Sequence, residues 1–203
     1  MKIICIGRNY SEHAKELKNE VPTEPVFFMK PETALLKNGQ PFYLPDFGSE
    51  IHYEVELVIL ISKNGKNISE NFATNYYEKV GVGIDFTARD LQQQCKEKGL
   101  PWEKAKAFDN SAPLGEFILK SEINNPDSIN FKLLVNGEIR QQGNSKDMMF
   151  NFDKIISYVS KFITLKTGDL IYTGTPAGVG AVKIGDKLEA FIESNQMLSF
   201  EVK

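Results

Sequence analysis

Apolar residues in this 203-residue chain fall in short runs, and several of the runs are rich in β-branched side chains. Strands are predicted over residues 3–6, 26–29, 54–61, 80–85, 129–135, 170–173, 187–193 and 197–202. Asn136-Gly137 separates two strand-like runs as a strong hairpin turn, and Asn195-Gln196 is a weaker one. Helical spacing is rarer. Phe152, Ile155, Ile156, Val159 and Phe162 recur on one face and predict a helix over 152–162. Residues 87–98 read as a capped helix, with Thr87 as N-cap, Asp90 three residues on and Gly99 as terminator. Shorter helices are predicted over 10–17 and 71–79. No repeat, linker or low-complexity tract divides the chain. The pattern therefore predicts one mixed, β-rich α+β domain over residues 1–203, with a few peripheral helices and without regular βα alternation.

One strand breaks the rule that strands of this kind are apolar. In His52-Tyr53-Glu54-Val55-Glu56-Leu57 the side chains alternate, so Glu54 and Glu56 share a face with His52. The following residues, Leu57 to Ile61, are apolar on both faces, as in an inner strand. Two like charges entering such a place lose hydration and repel each other, at several kcal/mol per ion. A divalent cation would compensate both; a wet strand end at the rim of a sheet would also be tolerated. Asp85 closes another apolar run and either begins a turn or joins the two glutamates. Together the three would offer hard oxygen ligands suited to Mg2+ or Mn2+, with Ca2+ as a third candidate, and unsuited to zinc.

Composition narrows the classes. Apolar content of 41% and charged content of 25% are ordinary for a globular protein, and a net charge of -3 without a basic stripe argues against nucleic acid. Two distant cysteines, Cys5 and Cys95, signal neither a zinc knuckle nor a disulfide framework and suit a reducing cytoplasm. No apolar run reaches membrane-spanning length, and residues 3–6 are too short for a signal-peptide core.

Other residues could carry chemistry. His13 and Glu16 share a helix face, either as a general-base dyad or as a surface pair. Arg89 and Gln92 share a face one turn beyond Asp85. Lys104 and Lys106 follow Trp102, and one of them could enter a pocket. The stretch Thr173-Gly174-Thr175-Pro176-Ala177-Gly178 lacks the lysine of a phosphate loop; it reads as a tight loop offering the Thr175 hydroxyl and backbone N–H groups to a small anion, or as a structural turn. Gly81-Val82-Gly83 lacks the rest of a dinucleotide fingerprint.

Taken in order, several stretches resemble the fumarylacetoacetate hydrolase family along nearly the whole chain. They are Gly7-Arg8-Asn9-Tyr10 with His13 and Glu16, Pro25 to Pro31, His52 to Leu57, Asp85 to Gln92, Lys106-Ala107-Phe108-Asp109, and Thr173-Gly174-Thr175-Pro176. Gly99-Leu100-Pro101-Trp102 and the stretch from Ile155 to Lys161 are most similar to the short acylpyruvase and oxaloacetate decarboxylase branch. The resemblance implies a β-roll or β-sandwich fold, a homodimer, and Mg2+ or Mn2+ on Glu54, Glu56 and Asp85. It implies His13, Glu16 and Lys106 as catalytic residues, with residues 8–20 as a lid. Substrate would be held by Arg89, Gln92 and Thr175. The implied chemistry is cleavage of 2-oxo acids through a pyruvate enolate: hydrolysis of acylpyruvates, decarboxylation of oxaloacetate, or both. Isomerisation or decarboxylation of hydroxyheptadienedioate-type diacids, and tautomerisation of oxaloacetate, would use the same residues.

Overall fold

The apolar runs become the inner strands of a curled, mixed sheet in a computed structural model that describes residues 1–16, 21–48 and 50–203. In chain order the described strands are β1 (Ile3–Gly7), β2 (Val26–Lys30), β3 (Leu35–Lys37), β4 (Ile51–Tyr53), β5 (Val55–Ile61), β6 (Tyr77–Ile84), β7 (Thr87–Ala88) and β8 (Ala112–Leu119). They continue with β9 (Asn130–Val135), β10 (Glu138–Asn144), β11 (Leu170–Tyr172), β12 (Gly180–Ala181), β13 (Lys187–Ile192) and β14 (Asn195–Glu201). The α-helices are α1 (Ser11–Glu16), α2 (Glu70–Ala73), α3 (Arg89–Lys98), α4 (Glu103–Lys106) and α5 (Phe152–Phe162).

A seven-stranded sheet runs β2-β1-β11-β5-β6-β8-β3, a four-stranded sheet β10-β9-β13-β14, and a small one β12-β4-β7. Pairing is antiparallel except for β1 with β11 and β3 with β8. Strand β5 lies inside the large sheet, with Leu57, Ile59 and Ile61 in the main core and Val58 in a second core on the other face. This is why its sequence shows no polar alternation. Phe86, stacked on Phe42 at 4.1 Å, anchors the segment that carries Asp85 into the main core. Helix α5 buries Phe152, Ile155, Ile156 and Val159 as predicted and is capped by Asn151, which accepts from the Lys154 amide at 2.8 Å. Phe162 stays largely exposed, against Phe27 and Tyr158.

Several expectations are corrected. Residues 71–79 are not one helix. A short α2 and a 3-10 turn give way at Tyr77 to β6, whose ladder with β5 overrides local helical preference. Thr87 is not a cap: Thr87 and Ala88 pair with β4, and α3 starts at Arg89 without a side-chain cap. Gly99 does end α3, in the left-handed region. The second hairpin turns at Glu193-Ser194, with Asn195 and Gln196 already inside β14, because a bulge at Ala190/Phe191 shifts the register. The predicted strand 54–61 is β5 from Val55 onward, but His52 and Tyr53, read as continuous with it, belong to β4. At Glu54 the chain leaves the small sheet and enters the large one, so Glu54 stands at a junction between β4 and β5. The predicted helix 10–17 is α1, and Leu17, like residues 18–20 of the expected lid, lies outside the described residues.

Candidate active site

The sheet change at Glu54 assembles the acidic cluster. Glu54 O accepts from the Asp85 amide at 2.8 Å, so the start of β5 and the end of β6 are joined where both acids emerge. Two residues further along each strand, Glu56 pairs with Gly83. A Cβ on Gly83 would come within 2.6 Å of the Tyr172 ring, which is why the strand opposite Glu56 carries no side chain there. Ligand oxygens of Glu54, Glu56 and Asp85 lie within 4.8 Å of one another, and all three residues are buried.

Cations meet these acids directly. Lys106 Nζ donates to Glu54 Oε2 and to Asp85 Oδ2, both at 2.8 Å. Arg89 Nη2 donates to Glu54 Oε1 at 2.5 Å, and its Nη1 donates to Gln92 Oε1 at 2.8 Å. Lys30 Nζ lies 2.8 Å from Asp85 Oδ1 and also bonds the carbonyls of Phe86, Lys106 and Ser111. The Lys30 contact is an ion pair by distance only; Asp85 Oδ1 is buried and accepts no hydrogen bond among the described residues.

The cluster splits its acids electrostatically. Burial opposes the Glu54 carboxylate, but Lys106 and Arg89 outweigh it and hold Glu54 well below the usual carboxylate range. Burial, reinforced by the charges of Asp85 and Glu54, pushes Glu56 well above that range, against the Gly174 N–H at 2.8 Å. Burial also opposes the Lys106 ammonium, yet Asp85 and Glu54 push it up to about 12. A buried set of hard oxygens, one of them a carboxylate oxygen that accepts no hydrogen bond among the described residues and another on a group that resists its own charge, fits a divalent cation.

His13, Arg89, Gln92, Lys106 and Thr175 line the cavity above the three acids, with Arg8, Phe28 and Trp102. His13 is 5% exposed, and its Nδ1 is 3.1 Å from Glu16 Oε2. Glu16 also accepts from the Gly178 amide at 3.1 and 3.3 Å, which ties α1 to the loop after β11. Two backbone N–H groups of that loop, of Gly174 and Gly178, are directed to Glu56 and Glu16, the part a structural turn would play. The cavity holds about 30 Å³, room for an ion or a water molecule. A larger hollow of about 360 Å³, lined by Tyr77, Asp127, Lys146 and Asp153, shares none of these residues. His52 does not line the cavity, and Lys104 is exposed.

Sequence reasoning missed three residues. Lys30 ends the apolar run 26–29, and a charge against such a run before Pro31 was the available signal. Arg8, in the left-handed region at φ 58°, turns the chain from β1 toward α1. Gln141, fully buried on β10, had no signal in its own segment.

Residues 2–203 match the profile described as fumarylacetoacetate (FAA) hydrolase C-terminal. The chain is 47% identical to the mitochondrial oxaloacetate tautomerase of Mus musculus over 201 residues, spanning 99% of this chain and 91% of that protein. It is 46% identical to an oxaloacetate tautomerase of Escherichia coli (strain K12), over 97% and 90% of the two chains. The fold superposes on fumarylpyruvate hydrolase from Pseudomonas aeruginosa, solved with Mn2+ and pyruvate, at a TM-score of 0.94 and 38% identity, covering 100% and 89%.

Proposed function

The chain belongs to the fumarylacetoacetate hydrolase family, and from that premise we propose that it is a divalent-metal-dependent enzyme that interconverts the keto and enol forms of oxaloacetate. One observation carries the reading. Lys106, an ammonium bridging Glu54 and Asp85, makes no third hydrogen bond among the described residues and lines the same cavity as His13. An acid-lined metal site with an ammonium donor and an imidazole suits the formation and quenching of an enolate.

Glu54, Glu56 and Asp85 would hold Mg2+ or Mn2+, which supplies a Lewis acid for the oxygen on C2. Lys106 directs its remaining N–H at that oxygen as it gains charge. Because Glu16 engages Nδ1 of His13, Nε2 is the nitrogen left to exchange a proton. In the keto-to-enol direction the C3 proton passes to Nε2 and the C3–H electron pair becomes the C2=C3 bond. The C2 oxygen takes the charge and then the proton held on His13 Nε2, directly or through solvent, which leaves the imidazole neutral again; the reverse direction retraces these steps. Arg89 and Gln92 bind the distal carboxylate, with the Gln92 amide N–H group directed to it because its carbonyl already accepts from Arg89.

Hydrolysis of 2,4-dioxo acids is the second reading, supported by the His13–Glu16 pair and by the fumarylpyruvate hydrolase relative. There His13 would deprotonate a water that adds to C4, the C3–C4 bond breaks, and its electron pair leaves as pyruvate enolate. Enolic oxaloacetate mixed with the Mg2+-loaded protein should lose its enol absorbance far faster than the uncatalysed rate. Addition of EDTA should abolish that acceleration. Equal rates with and without protein, or with and without the metal, would overturn the reading; coupled assays for pyruvate separate tautomerisation from cleavage.

A further inference from the structure

We propose that Gln141 is a positioning residue that polarises Thr175, fixing its hydroxyl as a donor into the cavity. The inference rests on the proposed function, with the cavity as the substrate site, and on Thr175, which lines that cavity with His13 and Lys106 and which the family resemblance implies as a substrate-holding residue.

Strand β10 is an outer strand with exposed Glu138, Ile139 and Arg140, yet Gln141 is 1% exposed. A bulge between Ile139 and Gln141 rotates the side chain inward. There its amide meets three partners. Gln141 Oε1 accepts from the Val55 N–H at 2.8 Å, on the residue between Glu54 and Glu56. Gln141 Nε2 donates to Pro176 O at 2.9 Å and to Thr175 Oγ1 at 2.8 Å.

Two of those partners have only one polarity. The Val55 N–H can only donate and the Pro176 carbonyl can only accept, so the reversed amide would face a donor with a donor and an acceptor with an acceptor. The amide has one orientation, and both its N–H groups are committed. Thr175 Oγ1 is therefore an acceptor toward Gln141, and its own proton must point elsewhere. Among the described residues that proton reaches no acceptor, while Thr175 is 3% exposed and lines the cavity. The remaining partner is an oxygen of an anionic ligand. Packing holds the loop to the same strand: a Cβ on Gly178 would stand 2.4 Å from Arg140 O, and one on Gly143 would stand 3.0 Å from the Pro176 ring.

Oxalate, a planar dianion resembling the pyruvate enolate, is titrated calorimetrically into Mn2+-saturated wild type, Thr175→Val, Gln141→Glu and the double variant. Mn2+ affinity is measured separately by electron paramagnetic resonance. Gln141→Glu keeps the shape and the acceptor for Val55 but turns the donor at both Thr175 and the Pro176 carbonyl into an acceptor, drawing the hydroxyl proton away from the ligand. Each single variant should weaken oxalate about tenfold, the worth of one hydrogen bond. The double variant should be no weaker than Thr175→Val alone, with Mn2+ affinity unchanged. Should Gln141→Glu fail to fold, Gln141→Met takes its place in the cycle, with a smaller loss and the same non-additivity. Losses that multiply, wild-type oxalate binding in the Gln141 variants, or loss of Mn2+ binding in them would overturn the inference alone. Wild-type binding by Thr175→Val would remove the reading of Thr175 and the inference with it.

Discussion

Glu56→Gln should stabilise the metal-free protein while abolishing its response to metal. Glu56 is 1% exposed and is held above the usual carboxylate range by burial and by Asp85 and Glu54. The folded protein therefore binds more protons than the unfolded chain as pH rises from the ordinary value of 4.5, and its stability falls across that window. Glu54 slopes the other way, but only as pH drops below its ordinary value, because its folded value is lowered. Between pH 5 and 8 the Glu56 slope is opposed by His52, which burial lowers from 6.5 and which adds stability as pH rises toward that value, so the Glu56 share is read as the difference between wild type and variant. A neutral amide keeps an acceptor for the Gly174 N–H and removes the buried charge, a gain of about 1–3 kcal/mol at pH 8. For a chain of this length that corresponds to a Tm higher by roughly 2–4 °C per kcal/mol. Wild type at about 100 times its Kd for Mn2+ should instead gain about 2.7 kcal/mol from binding. Differential scanning calorimetry with EDTA and with Mn2+, at pH 5 and pH 8, reads all four arms. A variant that is less stable than wild type at pH 8 without metal, or that keeps the full Mn2+ shift, would refute the electrostatic account.

Three further outcomes are expected. Lys30→Met removes one of the two ammonium groups at 2.8 Å from Asp85, leaving Lys106, and takes a donor from the carbonyls of Phe86 and Ser111. It should cost about 3–5 kcal/mol in urea denaturation; a loss below 1 kcal/mol would show Lys30 to be dispensable. His13→Ala should lower turnover by roughly 10²–10⁴ while leaving Mn2+ affinity unchanged by electron paramagnetic resonance, and parallel loss of metal would contradict its assignment as a proton carrier. Phe86→Ala removes a fully buried ring stacked on Phe42 and set edge-on to Phe200, at about 3–5 kcal/mol. A near-neutral result there would mean the segment carrying Asp85 is anchored by something else.

What the sequence determined by itself was local or periodic. The apolar run of β5 announced an inner strand, the stripe on α5 announced its buried face, and Asn136-Gly137 announced a hairpin, because each depends on neighbours a few residues away. The ordered motifs also identified which acids, cations and hydroxyl belong together. Tertiary structure decided the rest. Residues 77–79 look helical but pair with β5, since a ladder to a core strand outweighs weak helix preference. Glu54 looks like mid-strand but marks a change of sheet, which no period of two can reveal. Gln141 reads as one more polar residue on an exposed strand; only a bulge and contacts 34 and 86 residues away give its amide a direction. Contacts at that separation are set by how the sheets fold together, so the residues of the acidic cluster and its cavity were largely legible in the chain, while Lys30, Arg8, Gln141 and the orientation of the groups were not.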